Sequence, residues 1–169
     1  MITIKPMEFD DILTLSQRKG LFAFDNEGAY FQTCYDLQQS GARIVFIAKD
    51  AGDIPQGYVI LNFAPRYSLF QKLKIPEIQD LNVHPDSRNQ GIGRALVELC
   101  EDIIRERGDV NQIGISVGLH KGFGAAQRLY AKLGYIPDGN GVTYDRNPVS
   151  PHEMRTIDDD LCLMMVKSL

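Results

Sequence analysis

The stretch HPDSRNQGIGRALVEL, His84 to Leu99, decides how this chain folds. It opens on a proline turn, crosses a polar, basic loop spaced by Gly91 and Gly93, and becomes an apolar-periodic helix. Ahead of it, EIQDLNVHP reads as a strand that Pro85 ends. Glycine lacks Cβ, so backbone N–H groups can come close to a ligand. A helix start leaves several N–H groups without intrahelical partners and carries partial positive charge. Strand, glycine loop and helix start together make an anion site. Arg88 and Arg94 add full charges, so the natural guest is a phosphate or pyrophosphate.

Three anion-binding patterns compete for this loop. A P-loop needs Lys-Ser or Lys-Thr after its glycines, and neither is present. A dinucleotide fingerprint needs a third small residue, and Leu96 stands there instead. The pattern R-x-x-G-x-G is met by Arg88, Gly91 and Gly93. Alone, two glycines would only shape a tight turn. The strand before them, the arginines and the helix after them favour the anion site.

Working outward, the spacing predicts a first strand in ITIKPM, then a helix in EFDDILTLSQRKG. A second helix is predicted in NEGAYFQTCYDLQQSG, capped by Asn26 and ended by Gly41. RIVFIAKD and GYVILNFAP form a hairpin across AGDIPQ. RYSLFQKLKIP reads as an irregular connection. The helix after the glycine loop should bury Ile92, Ala95, Leu96, Leu99, Ile103 and Ile104, and expose Glu98, Glu101, Asp102 and Arg105. QIGISVGL is a strand and GFGAAQRLYAKLGY a helix stopped by Gly134. GVTYDRNPV, entered by a DGNG turn, and DLCLMMVKSL are the last strands. The fold class is α/β (α+β), with a mixed sheet of about seven strands. The element order is β-α-α-β-β-β-α-β-α-β-β, and residues 1–169 read as a single domain.

The 169 residues carry 18 basic and 22 acidic side chains, a formal charge of −4, which argues against nucleic acid as the main partner. No apolar run reaches a membrane span, and the start MITIKPMEFDD lacks a signal layout. Cys34, Cys100 and Cys162 are odd in number and far apart, which suits a reducing cytoplasm. The expected location is therefore cytoplasmic, with no membrane partner. Three scattered histidines and no paired cysteines predict no metal site.

Two segments carry a family resemblance. DLNVHPDSRNQGIGRALVELCEDIIRERG resembles the acetyl-CoA-binding segment of the GNAT superfamily of N-acetyltransferases. GISVGLHKGFGAAQRLYAKLGYIP is similar to that family's later strand and its A-x-x-L-Y-x-K-x-G-[FY] helix, here Ala126, Leu129, Tyr130, Lys132, Gly134 and Tyr135. The two motifs span about Glu77 to Pro137, correctly ordered, and the resemblance implies a GNAT-like sheet that is mostly antiparallel, with helices on both faces.

The resemblance implies an N-acetyltransferase with acetyl-CoA as co-substrate and a primary amine as acceptor, working by direct attack in a ternary complex. It implies that backbone N–H groups of Arg88, Asn89, Gln90, Gly91, Ile92, Gly93 and Arg94 hold the pyrophosphate. It also implies that the strand edge at Leu81, Asn82 and Val83 pairs with the pantetheine arm. Tyr130 stands where the family's common acid stands, with a phenol able to protonate the leaving thiolate. Its structural alternative is an apolar-face residue of the helix. Glu77 matches the glutamate that serves as base in the histone-acetylating branch; its alternative is a surface acid after Pro76. Asp80 is the competing carboxylate. A regular strand points Glu77 and Asp80 to opposite faces, and a bulge would change that parity. The sequence departs from the family at Phe123, where an asparagine often bonds the pantetheine arm. The segment from Tyr135 to Met165, with DGNG and DDD, is longer than a minimal family ending.

His84, His120 and His152 are set aside as turn, strand-end and loop residues. Acceptor contacts are sought at Phe24, Tyr30, Phe31, Tyr67 and Tyr144, with Asp25 and Glu27 favouring a cation. The alternative function is a non-catalytic acyl-CoA-binding or sensor module of the same fold. A transferase for longer or charged acyl groups is a third reading. The oligomeric state is not legible, although a homodimer is common in such folds.

Overall fold

A computed structural model describes residues 1–21 and 28–169. The elements are β1 (Thr3–Pro6), α1 (Asp11–Gln17), α2 (Ala29–Gln39), β2 (Arg43–Lys49), β3 (Pro55–Asn62), α3 (Ser68–Leu73) and β4 (Glu77–Val83). They continue as α4 (Ile92–Arg107), β5 (Gln112–Gly118), α5 (Gly124–Lys132), β6 (Ile136–Tyr144), β7 (Asn147–Pro148) and β8 (Leu161–Ser168). The fold is mixed α/β, with eight mostly antiparallel strands and five helices among the described residues. The chain clusters into two compact units. The first is Met1–Phe63 with Ile78–Asp102, and the second is Ala64–Glu77 with Ile103–Leu169.

In the first unit the strand order is β1-β2-β3-β4. The predicted hairpin forms, with β2 and β3 antiparallel from Arg43↔Asn62 to Ala48↔Gly57. Its turn is tied by Asp50: Oδ1 accepts from the N–H groups of Gly52 (2.8 Å) and Ile54 (3.1 Å), and Oδ2 accepts from Gln56 Nε2 (2.6 Å). Every residue of β3 is buried, which follows from cover on both faces. On one face Tyr58 and Ile60 join Val45 and Ile47 against Leu15 of α1 and Phe31 and Cys34 of α2. On the other, Gly57 faces α4. A Cβ there would stand 3.2 Å from Ile92 Cγ2, 3.4 Å from Leu96 Cδ1 and 2.9 Å from the Asn82 carbonyl oxygen of β4. Glycine lets strand and helix approach this closely.

The expected faces of α4 change at two residues. Helix α4 buries Ile92, Leu96, Val97, Cys100 and Ile104, but Ala95 is exposed and Glu101 is buried. Glu101 lies four residues after Val97 and three before Ile104, so helical spacing carries it onto the buried stripe. The start of α2 is preceded by Gly28 at φ +83°; the predicted cap Asn26 lies outside the described residues.

In the second unit the order is β5-β8-β6-β7. Strands β5 and β8 pair antiparallel from Gln112↔Ser168 to Gly118↔Cys162. The predicted irregular connection contains α3, which buries Phe70 against Tyr67, Ile75 and Met164. Gly114 admits that ring, since a Cβ there would stand 2.2 Å from Phe70. The DGNG segment is not a turn before a strand. It lies inside β6, where the register with β8 slips between Pro137 and Val142 and Gly139 and Gly141 take φ of +84° and +80°. Hairpin β6–β7 turns at Asp145 and Arg146, both at positive φ.

Candidate functional site

The first unit holds the whole glycine loop. After β4 the chain makes one 3₁₀ turn, Pro85–Ser87, and enters α4. His84 anchors the turn: its Nδ1 accepts from the Asp86 N–H (3.3 Å), so Nε2 donates to the Lys19 carbonyl (3.1 Å). Both ring nitrogens are engaged, as a turn residue requires. Ser87 Oγ donates to Gln56 Oε1 (2.7 Å), and the His84 N–H donates to the Gln56 carbonyl (2.8 Å). The loop is thus clamped to the start of β3.

Beyond the clamp, Asn89 sits at φ +61° and Gly91 at φ +83°. A Cβ on Gly91 would meet no atom within 4 Å, so the backbone conformation, not crowding, calls for glycine. The first bonded N–H at the head of α4 is that of Ala95, to the Gly91 carbonyl at 3.0 Å. The N–H groups of residues 89–94 bond no partner among the described residues. Asn89, Gln90, Gly91 and Arg94 are exposed, Gly93 is half-buried and Ile92 is buried beneath them. A row of open donors on the positive end of a four-turn helix fits a pyrophosphate. Arg88 turns back, with Nε donating to the Val83 carbonyl at 3.2 Å, and Arg94 pairs with Glu98 at 2.9 Å. Leu81, Asn82 and Val83 are half-buried on β4.

Asp80 breaks the regularity of that strand. Its φ is +50°, in the left-handed region, at a cost of about 1–3 kcal/mol for a residue other than glycine. Asn82 holds the distortion, with Nδ2 donating to the Asp80 carbonyl (3.2 Å) and to Tyr58 Oη (3.0 Å). The exposed Asp80 carboxylate accepts from the Tyr30 hydroxyl through Oδ2. Burial, then the Asp80 charge, pushes the Tyr30 phenol far above its ordinary pKa, and the same two causes raise Tyr58. Both phenols therefore remain protonated at neutral pH.

The second unit holds Glu77 and Tyr130. Glu77 is fully buried and accepts from Arg146 Nη2 at 3.2 Å, an arginine that reading the sequence did not single out. Its signal would have been the Asp145–Arg146 turn, which no residue type advertises. Tyr130 is 5% exposed, with its ring beside Tyr135. Phe123 stacks down on β5, where a Cβ on Gly118 would stand 2.3 Å from its ring. Among the acceptor candidates, Phe31 is core. Tyr67 donates to Asp138 and Tyr144 to Asp158, each at 2.7 Å. Phe24, Asp25 and Glu27 lie outside the described residues. His120 Nε2 bonds Asp159 at 2.8 Å, and His152 is exposed.

All three cysteines are buried and none forms a disulfide. Burial raises each thiol, Cys162 to about 11, so none is a thiolate nucleophile near neutral pH.

With this geometry, the chain matches the family described as the acetyltransferase (GNAT) domain over residues 41–137. No curated protein matches in sequence. Among solved structures, the ribosomal-protein-S18-alanine N-acetyltransferase of Escherichia coli is 21% identical with a TM-score of 0.67, covering 99% of this chain and 94% of its own. The Salmonella typhimurium protein yncA, solved with its cofactor acetyl-CoA, is 16% identical with a TM-score of 0.69, covering 99% and 93%. The spermidine/spermine N-acetyltransferase SpeG of Vibrio cholerae is 14% identical with a TM-score of 0.68, covering 99% and 92%. At such identities the likeness is one of fold.

Proposed function

The chain belongs to the GNAT acetyltransferase family, and from that premise we propose that it moves the acetyl group of acetyl-CoA to a primary amine by direct attack. The observation that carries this reading is the run of open N–H donors at residues 89–94, ahead of the first bonded N–H of α4. Acetyl-CoA supplies a thioester carbonyl and a good leaving thiolate.

This chain's own residues supply the rest. Arg88, Asn89, Gln90, Gly91, Ile92, Gly93 and Arg94 hold the pyrophosphate through backbone N–H groups. Leu81, Asn82 and Val83 offer polar backbone to the pantetheine arm. The amine nitrogen attacks the acetyl carbon; a C–N bond forms and the C–S bond breaks, leaving its electron pair on sulfur. Tyr130 gives the sulfur a proton, and the amine's proton leaves to a β4 carboxylate. Glu77, held by Arg146, is the first candidate for that carboxylate and Asp80 the second. Two compared proteins are named for amine acceptors, an alanine of ribosomal protein S18 and spermidine or spermine, which supports an amine here too.

A second reading is an acyl-CoA-binding module without turnover. The burial of Tyr130 and the ion pair of Glu77 favour it, since both residues also have structural employment. Thiol release from acetyl-CoA, followed across a panel of amines, separates the two. The transferase reading expects release with at least one amine and a drop in kcat of about a hundredfold in Tyr130→Phe, with little change in KM for acetyl-CoA. Binding of acetyl-CoA with no release by any amine would favour the module.

A further inference from the structure

A loop that binds an anion through backbone N–H groups depends on how those groups are held before the anion arrives, since ordering them on binding costs affinity. Several bonds of residues 83–91 stay within the segment. The Ser87 N–H donates to the His84 carbonyl (2.9 Å), Arg88 Nε to the Val83 carbonyl (3.2 Å) and Gln90 Nε2 to the Asp86 carbonyl (3.2 Å). Such bonds shape the loop but do not fix it to the sheet. Among the described residues, Gln56 is the one side chain elsewhere in the chain that hydrogen-bonds this segment. Gln56 is 7% exposed, at the start of the buried strand β3. Its Oε1 accepts from Ser87 Oγ at 2.7 Å and from Arg18 Nη2 at 3.4 Å, and its Nε2 donates to Asp50 Oδ2 at 2.6 Å. A guanidinium only donates and a carboxylate only accepts, so these two neighbours fix which end of the amide faces Ser87. Arg18 is fixed in turn, its Nε donating to the Pro55 carbonyl at 3.1 Å. A buried amide costs stability unless it is hydrogen-bonded, and an apolar side chain would fill the start of a buried strand without that demand. Here the amide's acceptor end is committed to the loop. Gln56, its three partners and the glycine loop all lie in the first unit.

We propose that Gln56 is a positioning residue for the cofactor: it holds Ser87, and with it the backbone leading into the open N–H groups of residues 89–94, in the form that receives a pyrophosphate. Gln56 acts through Ser87, not on the cofactor. This rests on the reading of the loop as the site of the acetyl-CoA pyrophosphate.

The test is a calorimetric titration of the full chain with acetyl-CoA and with CoA, each variant held below its melting transition. Gln56→Met keeps the length of the side chain and removes the amide. Ser87→Ala removes the same bond from its other, half-buried end. Each should weaken binding about three- to tenfold. The factor should be the same for both ligands, because the acetyl end is not involved. The double variant should weaken binding no further than the larger single change, since both remove one bond. Gln38 of α2 supplies the control. It also uses both ends of its amide, donating to the Met7 carbonyl at 2.8 Å and accepting from the Val45 N–H at 2.9 Å, and neither partner belongs to the loop. Gln38→Met should lower the thermal midpoint, as Gln56→Met does, yet keep the parent's affinities. That contrast separates positioning from a general loss of stability. Unchanged affinity in a folded Gln56→Met or in Ser87→Ala, an additive double variant, or equal weakening by Gln38→Met would each overturn the proposal. If Gln56→Met does not fold, Ser87→Ala decides alone. Binding by the parent with an indifferent Gln56 sinks only this proposal, whereas a parent that binds neither ligand sinks the cofactor reading and this proposal with it.

Discussion

Asp145 and Arg146 are neighbours in one turn, at φ of +46° and +62°, yet they make ion pairs of different kinds. Arg66 meets Asp145 with both side chains well exposed, 68% and 46%, where solvent screens the charges. Arg146 meets Glu77, whose side chain is fully buried. Removing one partner of a buried pair leaves a charge in a poor solvent, and that penalty exceeds the worth of the pair itself. Arg146→Ala should therefore lower stability by roughly 2–4 kcal/mol, and Arg66→Ala by less than about 1 kcal/mol, read from urea unfolding midpoints at constant slope. Equal effects would mean that Glu77 does not depend on Arg146. At this scale the sequence marks residue types but not their partners. Glu77, Asp80 and Tyr130 stand out by position in a motif. The arginine beside Glu77 and the tyrosine on Asp80 are 69 and 50 residues away along the chain, and no local pattern joins them.

The elements around the loop were legible because each has a local cause. Proline ends β4, glycine takes the left-handed turn, and apolar spacing draws α4. Helix α3 was missed because six residues offer too few turns for a period, and its N-terminal flank, Tyr67, makes no side-chain cap. The distortion at Asp80 was open in the sequence only as a bulge that would change strand parity, and no residue type there decides between the two. Close approach is equally invisible until the elements meet. Gly57→Ala should cost about 1–3 kcal/mol, because its methyl would stand 2.9 Å from a backbone oxygen that cannot swing away. A thermal melt unchanged by that substitution would contradict the packing described. The β2–β3 turn gives a pH test. The N–H groups of Ile54 and then Gly52 hold the Asp50 carboxyl below its ordinary range. A pKa lowered in the folded state stabilises fully above the unfolded value and is lost as pH falls through the lowered one. Asp50→Asn should therefore be the less stable protein at neutral pH, with the gap closing below about pH 4. A gap that stays constant from pH 7 down to 3 would refute the charge-assisted turn.

For the whole molecule, the sequence motifs and the family match bear on one another. The matched residues, 41–137, run from the β2–β3 hairpin through the glycine loop to α5 and the start of β6. The net charge of −4 sets the loop's donors and its two arginines against an otherwise acidic chain. No helix among the described residues is long and apolar enough to cross a membrane. What could not be read at this scale is the acceptor, since its candidate contacts are scattered from residue 24 to residue 144 and several are core. The central claim concerns the loop, and a calorimetric titration with acetyl-CoA tests it most directly, run on the parent, Gly91→Glu and Gly41→Glu. Both glycines have positive φ and no atom within 4 Å of a Cβ, so both variants carry the same backbone strain. Saturable binding by the parent and by Gly41→Glu, lost in Gly91→Glu, is the predicted result. No binding by the parent, or undiminished binding by Gly91→Glu, would contradict the account, and the glycine loop would then do no more than turn the chain.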